Sequence, residues 1–340
     1  MSTVLCDLGA WTAYASRAPL SPVPKDEAEQ ALQNATCTKV EVDRVRNQWW
    51  FTEMHDYAKI LSGLPPSAQL PVHLLSAEGS RHGRTFSVSP HRIPLHLPAG
   101  PLQSIQDPYG DEPIYVVGPS LYVLLRAPLL NDIALARMVS DICGNYVLRV
   151  DQNHELACRP NPITSVAKLK GDLHKLSAER GTTRILSILD FSASGAASPM
   201  ETAVALMMCA PRPLGGRGFP VPHLNEPIPL EPDERKLIGR SAMKLDFFWP
   251  EARVAVEYDS AQFHGNESQD ELDKLRREVA SSRGIELMSL TRSVLRDPVR
   301  LDLFMERAAQ RLDIGFDWSD RYLPARRSLR SQVLSEHLVW

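Results

Sequence analysis

The chain has 340 residues, of which 43% are hydrophobic, and its formal net charge is −3 at pH 7. This length and apolar content can supply one large domain or two domains with real cores, which argues against a disordered chain. The small negative charge excludes binding of nucleic acid through an overall positive field, so such a partner would have to contact local basic patches.

The five cysteines are widely spaced, odd in number and without a CxxC pair. This pattern favours reduced thiols over a disulfide framework or a cysteine zinc site. The first residues include no basic leader, and the sequence has no apolar run of the ~18 residues that a membrane-spanning helix needs. We therefore expect a cytoplasmic protein without a membrane partner.

Residues 1–150 predict an α+β module. The segment AWTAYAS is typical of a short helix, and apolar residues recur at helical spacing over 42–61 before the proline-rich segment GLPPSAQLP. Short β-like runs separated by Gly, Ser, Pro and Asp follow up to Gly118, and two helices then end near Gly144. The order indicates a small sheet with helices around it.

Three further segments complete the predicted organisation. Residues 151–197 are a helical connector that ends in the stretch SASGAASP. Residues 198–313 predict a helix, a strand over PVPHLNEPIPL, a strand hairpin, a charged helix, another strand and a last helix, which indicates a mixed sheet flanked by helices. Residues 314–340 are a basic tail. The predicted fold class is therefore α/β with an N-terminal α+β module.

The predicted hairpin KLDFFWPEARVAVEYDS is unusual because apolar strands carry Asp246, Glu257 and Asp259. Strand residues two apart share a face, so Glu257 and Asp259 project together, and antiparallel pairing would let Asp246 join them. Close carboxylates need a compensating cation, and Mg²⁺ or Mn²⁺ prefers such oxygen ligands. The alternative is that these acids face water at the ends of the hairpin.

The stretch LDFFWPEARVAVEYDSAQFH, followed by Asp273, Arg276 and Gly284 before IELMSLT, resembles the Vsr-like domains of the PD-(D/E)XK nuclease superfamily, which are related to the very-short-patch repair endonuclease. The resemblance covers about residues 198–312. It implies a restriction-endonuclease-like fold and a metal-dependent endonuclease that acts on DNA. It also implies that Asp246 and Glu257 hold a Mg²⁺ or Mn²⁺ ion.

The same resemblance extends the catalytic set to Asp259, His264 and Glu201. Asp259 stands where the superfamily pattern has a lysine, which leaves open the group that stabilises the developing charge. His264 would protonate a leaving oxygen or orient a phosphate, or it is a surface histidine. Glu201 would complete the metal shell, but Ser198 and Glu201 also fit a capping box in which Glu201 caps its own helix.

Three basic residues are candidates for contact with the DNA backbone: Lys244, Lys274 and Arg276. Lys244 shares a strand face with Asp246, and the other two lie on the charged helix that follows the hairpin. Arg276 also matches a position of the Vsr-like pattern. The alternative for this helix is an ordinary solvated face with ion pairs.

The N-terminal part, from PVHLLSAEG to PIYVVGPSLYVLLRAP, is similar to the regulator-like region of AbiEi-type antitoxin relatives. This resemblance implies recognition or regulation, with a protein partner for the N-terminal module and a role in a toxin–antitoxin or defence system. The basic residues Arg81, His82, Arg84, His91 and Arg92 would form a nucleic-acid patch or decorate a charged hairpin edge. The alternative function for the whole chain is a nucleic-acid-binding regulator whose nuclease fold is catalytically inactive.

Overall fold

The computed structural model describes residues 1–16, 18–61, 64–65, 67–78, 87–94, 96–98, 100–108, 110, 112–150, 156–176, 181–259, 267–317 and 319–335. No helix within these ranges is long and apolar enough to cross a membrane.

Helices and strands are mixed along the whole chain, which confirms the predicted α/β class. The helices are α1 (Asp7–Ala15), α2 (Lys25–Gln33), α3 (Lys39–Arg46), α4 (Trp49–Leu61), α5 (Pro119–Arg126), α6 (Asp132–Ile142), α7 (Val166–His174), α8 (Thr182–Leu189), α9 (Pro199–Cys209), α10 (Pro232–Ile238), α11 (Glu267–Ser282), α12 (Arg292–Arg296), α13 (Pro298–Arg311) and α14 (Leu323–Val333). The strands are β1 (Val4–Leu5), β2 (Ser21–Pro22), β3 (Val72–Ser76), β4 (Val88–Arg92), β5 (Leu102–Ile105), β6 (Ile114–Val117), β7 (Tyr146–Val150), β8 (Leu156–Cys158), β9 (His223–Leu224), β10 (Pro227–Pro229), β11 (Ala242–Lys244), β12 (Phe247–Trp249), β13 (Val254–Asp259) and β14 (Glu286–Thr291).

The N-terminal part is built on a six-stranded sheet in the order β2-β5-β6-β1-β3-β4. Strands β3 and β4 run parallel, and β1 is antiparallel to β3 but parallel to β6. Helix α1 packs against β3 and α4 and is buried almost all round, as its Ala-rich, apolar sequence requires. The start of α1 is therefore held directly against the neighbouring strand β3.

The C-terminal part contains a four-stranded sheet in the order β14-β13-β12-β9, in which β13 and β14 are parallel and the other neighbours are antiparallel. Strand β13 begins with a fully buried Val-Ala-Val run and becomes more exposed toward Asp259 at its end. A small second core joins this sheet region to α10 and α11 through Ile238, Ala255 and Val279. The acids of the hairpin thus sit where a buried strand reaches the surface.

Two local expectations need correction. The segment PVPHLNEPIPL forms two short strands in different sheets, and the chain turns between them at Asn225, whose φ is +53°. The predicted strand KLDFFW is also divided, because Lys244 belongs to β11, which pairs with β10, whereas Phe247 begins β12. Asp246 consequently lies in the short break between two strands.

The largest hydrophobic core runs across the predicted segment boundaries at 150, 197 and 313. Helix α6 packs on α9, and α14 packs on both of them. Leu329 and Val333 of α14 are buried in this contact. The basic C-terminal segment therefore contributes an amphipathic helix to the core, and two of its arginines also face the protein, where Arg326 pairs with Asp302 and Arg330 donates to the carbonyl of Leu295.

Candidate functional site

The predicted pair Asp246 and Glu257 meets at the junction of β12 and β13. Phe247 pairs with Val256, so the next residues outward on the two strands are Asp246 and Glu257. The backbone N–H of Tyr258 donates to Asp246 Oδ2 at 2.8 Å. Burial raises the pKa of Asp246 above its ordinary value, while this hydrogen bond and the charge of Arg276 oppose the rise.

Glu257 shares the same electrostatic environment. Burial raises its pKa, the Arg276 charge lowers it and the Asp246 charge raises it again. Arg276 Nη2 donates to Glu257 Oε1 at 2.6 Å and to the backbone oxygen of Lys244 at 2.8 Å. Its Nη1 lies 3.7 Å from Asp273 Oδ1. Arg276 of α11 is thus the cation that contacts the hairpin acids directly.

Glu201 approaches the same cluster from the first turn of α9. Its side chain is only 8% exposed, and burial raises its pKa, with a further contribution from the negative charge of Asp246. Asp246 is therefore the common electrostatic neighbour of Glu201 and Glu257. The structure places three carboxylates, 45 and 11 positions apart in the sequence, in one electrostatic neighbourhood, although their oxygens do not all lie within 4.8 Å of one another.

Glu201 also caps its helix, in a variant of the predicted capping box. Ser198 Oγ accepts from the Glu201 N–H at 3.1 Å and donates to Glu201 Oε1 at 2.9 Å. The Glu201 carboxylate, however, accepts from the backbone N–H of Ala197 at 2.7 Å rather than from that of Ser198. Both carboxylate oxygens therefore have protein partners.

Asn225 is a site residue that the sequence analysis missed. Its side-chain amide donates to Glu201 Oε2 at 2.5 Å and to the Gly195 carbonyl at 3.2 Å, and its backbone N–H donates to Leu245 O at 3.1 Å. It thereby connects the first turn of α9 with the residue before Asp246. The available signal was an Asn between two proline-containing runs, because Asn tolerates the left-handed conformation found here.

The other predicted residues lie outside this contact set or outside the described residues. Asp259 is exposed at the end of β13, where it pairs in register with Thr291. Lys244 and Lys274 have exposed side chains, and Lys244 contributes its backbone oxygen to Arg276. His264 and, from the predicted N-terminal patch, Arg81, His82 and Arg84 lie outside the described residues.

A cleft of about 600 Å³ opens beside the carboxylates. Its lining includes Asp246, Lys244 and Arg276 together with apolar side chains such as Met243 and Leu272. Its walls therefore combine Asp246, which has Glu201 and Glu257 as neighbours, with three basic residues, the third of which is Arg240. Such a cleft has room for a negatively charged ligand whose charge is balanced by a cation at one end of the cleft.

A second group of ligand-type side chains lies in the N-terminal part, far from any sequence prediction of chemistry. Within the part of the chain that the structure describes, Asp7, His73 and His91 are the group of three His, Cys, Asp or Glu side chains whose ligand atoms lie within 4.8 Å of one another. These three residues could hold a metal ion. No local pattern indicates this group, because 66 and 18 positions separate its members along the chain.

Asp7 is the centre of this second group. His73 Nδ1 lies 3.2 Å and His91 Nε2 3.6 Å from Asp7 Oδ2, and the two ring nitrogens are 2.9 Å apart. Arg126 donates to the other carboxylate oxygen. Burial by itself would raise the pKa of Asp7, but the hydrogen bond from His73 and the charges of Arg126 and the histidines lower it to about 2.

No protein-family model and no solved structure matches the chain. Two curated relatives are similar to part of it: the uncharacterized proteins MT2308 and Rv2248, each from a strain of Mycobacterium tuberculosis. Each is 30% identical over 135 residues, which are 39% of this chain and 44% of the relative. The matched segment thus spans less than half the length of these relatives.

Proposed function

We propose that residues 198–313 form a divalent-metal-dependent endonuclease domain of restriction-endonuclease-like fold that hydrolyses DNA phosphodiester bonds. The observation that carries this proposal is the electrostatic coupling of Asp246, which lines the cleft, to Glu201 and Glu257, with all three pKa values raised by burial. Raised carboxylate pKa values beside a cleft are typical of functional sites. The order α9, β12, β13, α11 and β14 is the order that the Vsr-like resemblance implies.

The donor set fits Mg²⁺ or Mn²⁺. Asp246 lines the cleft and Glu257 lies next to it on β13, so the acidic ligands available there are carboxylate oxygens, which these hard ions prefer. A cation also stabilises buried carboxylates with raised pKa values more than it stabilises exposed ones, because it relieves the repulsion between their charges. A bound ion would supply positive charge to the scissile phosphate and a more acidic water.

The residues of this chain have distinct roles in the proposed domain. Asp246 and Glu257 provide the metal-binding oxygens, while Glu201 is held by its helix cap and acts mainly through its charge on Asp246. Arg276 lies at the cleft with its guanidinium on Glu257, and Lys244 lines the same cleft. Both cations are placed to contact a phosphate backbone that enters the cleft.

One observation favours the alternative function, a nucleic-acid-binding regulator without turnover. Arg276 already pairs with Glu257, at 2.6 Å, and so provides an internal cation in the place of a metal ion. Asp259, where the superfamily pattern has a lysine, adds a negative charge at the end of β13. A protein of this kind would bind DNA with a strong salt dependence but would not cut it.

Cleavage of supercoiled and single-stranded DNA by the full chain, with Mn²⁺, with Mg²⁺ and with EDTA, tests the proposal. We expect metal-dependent cleavage by the wild type and at least a ~100-fold loss in Asp246→Asn and Glu257→Gln, because each removes one metal-binding oxygen. Asp246→Asn keeps an oxygen that can accept from Tyr258 N–H, so its fold is preserved. Asp233→Asn, at a fully solvated acid of α10, is the matched control.

Two outcomes would contradict the nuclease proposal. Cleavage that is equal in the wild type and both variants would assign the activity to another site or to a contaminant. Absence of cleavage together with salt-dependent DNA binding would instead support the regulator. In that case Arg276→Gln should weaken DNA binding without producing metal dependence, because the guanidinium contacts phosphate and not a metal shell.

A further inference from the structure

We propose that Asp7, His73 and His91 form a binding site for a divalent transition-metal ion, with Zn²⁺ as the first candidate. The site lies in the N-terminal part and uses none of the residues of the proposed nuclease cleft. The inference is independent of the proposed function. The ligand set of two imidazoles and one carboxylate suits zinc and its first-row neighbours better than Mg²⁺.

The three ligand atoms have the spacing that such an ion requires. Two ligands at 2.0–2.1 Å from a tetrahedral zinc ion are about 3.3 Å apart, and the three distances here are 2.9, 3.2 and 3.6 Å. A circle through the three atoms has a radius of about 1.9 Å, so a point about 0.8 Å out of their plane is about 2.05 Å from each of them. The ion would need little rearrangement of the side chains.

Hydrogen bonding alone explains this geometry less well. A neutral imidazole nitrogen carries at most one hydrogen, yet His73 Nδ1 lies within 3.2 Å of both Asp7 Oδ2 and His91 Nε2. The remaining distance, 3.6 Å between His91 Nε2 and Asp7 Oδ2, is too long for a hydrogen bond. One ion at the centre would serve all three atoms at once.

The backbone holds the ligands in place from three directions. Strands β3 and β4 are parallel neighbours, and their register sets His91 opposite Leu75, two residues beyond His73. The N–H of Cys6 donates to the His73 carbonyl at 3.1 Å, which fixes the start of α1 on β3. Two residues of one sheet face and one residue of the adjoining helix therefore converge without depending on a loop.

Asp7 itself has the properties of a ligand held for function. It is only 3% exposed and adopts a φ of +49°, a conformation that costs energy for a residue other than glycine. Arg126 binds Oδ1, which leaves Oδ2 as the oxygen that both histidines face. An outer partner of this kind orients a metal-binding carboxylate.

The site also has an approach from solvent. The side chains of His73 and His91 are 14% and 15% exposed. Three protein ligands and an accessible fourth position are typical of zinc sites that bind a water or a small ligand, whereas structural sites use four protein ligands. The proposed ion would therefore be exchangeable and not needed for folding.

The test is calorimetric titration of Zn²⁺ into the full chain after treatment with a chelator, compared with Mg²⁺ and Mn²⁺. We expect one zinc ion per chain and a loss of affinity in His73→Gln and His91→Gln beyond the ~10–100-fold that loss of an outer-shell partner costs. His96→Gln, at an exposed histidine of the same region, is the matched control. Circular dichroism of each variant checks that its fold is intact.

Absence of zinc binding by the wild type, or equal zinc affinity in the wild type and both histidine variants, would overturn the proposal. Titration of Asp246→Asn separates this site from the nuclease cleft. That variant should bind zinc like the wild type even if it no longer binds Mn²⁺. The two proposals can therefore fail independently, and each failure gives a different experimental result.

The absorption of bound Co²⁺, whose intensity reports tetrahedral geometry, gives a second readout in the wild type.

Discussion

Asp246 combines a buried charge with a position at the cleft, and this gives its ionisation a predictable effect on stability. Its pKa is raised above the ordinary value of 3.8, chiefly by burial. A carboxyl whose folded-state pKa is raised binds its proton more tightly in the folded than in the unfolded chain. Its contribution to stability is therefore complete below about pH 3.8 and is lost as the pH rises through the folded-state pKa.

We predict that Asp246→Asn stabilises the protein at neutral pH by about 1 kcal/mol, as expected when a site optimised for function loses a buried charge. The gain should shrink as the pH falls toward about 4, because the raised pKa lets the folded wild type protonate this carboxyl and so lose the buried charge that the substitution removes. Urea unfolding of both proteins between pH 4 and 7.5 measures the difference. Mn²⁺ should reverse it by stabilising only the wild type.

The matched variant is Glu257→Gln, which removes a charge of similar burial but also loses the contact with Arg276. It should gain less stability than Asp246→Asn or lose stability, because the guanidinium is left without its carboxylate partner. If the free energies of unfolding of the wild type and Asp246→Asn differed by the same amount at every pH, the charge of Asp246 would not be the cause of that difference.

At the residue scale, sequence reasoning could anticipate that Asp246 and Glu257 lie close together, because Asp246 directly precedes one strand of a hairpin and Glu257 lies on the other. Hairpin geometry converts that spacing into proximity. Asp7, His73 and His91 had no comparable signal, since their approach depends on β1, β3 and β4 being neighbours in one sheet. Local spacing does not contain that information, and a lone histidine in a sequence is uninformative for the same reason.

At the scale of elements, the turn at Asn225 links α9 to the hairpin and can be tested with two substitutions. Asn225→Gly keeps the left-handed backbone available but loses the side-chain bonds to Glu201 and Gly195. We expect a loss of about 1–3 kcal/mol, since buried acceptors lose a partner. Asn225→Ala should cost about 1 kcal/mol more, because a Cβ disfavours a φ of +53°.

Thermal or urea unfolding of the three proteins measures both steps. The difference between the Gly and Ala variants reports the backbone alone, and the difference between wild type and the Gly variant reports the amide. If both variants unfolded like the wild type, Asn225 would not couple α9 to the sheet. DNA cleavage by the Gly variant should also fall, because Glu201 would lose the side-chain bond that ties it to the turn beside Leu245.

The elements themselves were predicted in part. The charged helix after the hairpin and the strand IELMSLT follow from periodicity and match α11 and β14. The break between β11 and β12 was not predicted, because Leu245 and Asp246 continue the alternation of apolar and polar residues that Met243 and Lys244 begin. The stretch is divided because β11 pairs with β10 whereas β12 pairs with β13, and these pairings depend on the tertiary structure. Propensity cannot decide between two partners for one strand.

At the scale of the whole molecule, one core crosses segments that composition suggested were separate. The stretch SASGAASP resembles a linker in composition, yet Ala196 is fully buried and its carbonyl accepts from Asn145 N–H at 2.7 Å. Small residues are compatible with a linker and equally with close packing, so composition alone does not distinguish the two. The basic tail became α14 for a similar reason, because its few apolar residues lie on one helix face.

Arg137 provides the test of whether this core unfolds as one unit. It lies on α6 and is 8% exposed, and its two Nη atoms donate to the carbonyls of Gln332 and Ser335 at the end of α14, at 3.0 and 3.2 Å. Arg137→Met keeps the apolar stem but leaves both carbonyls without these donors, which should cost about 1–3 kcal/mol. Arg327→Met, at an exposed arginine of α14, is the control and should change little.

Hydrogen exchange in native conditions can follow the two halves separately in this variant. If the halves unfold together, the slowest amides of β6 and of β13 should lose the same amount of protection in Arg137→Met, because their exchange then needs the same global opening. If only β13 and α14 became faster while β6 kept its protection, the two halves would be separate cooperative units. The domain boundary near residue 197 would then be an energetic boundary, despite the continuous packing across it.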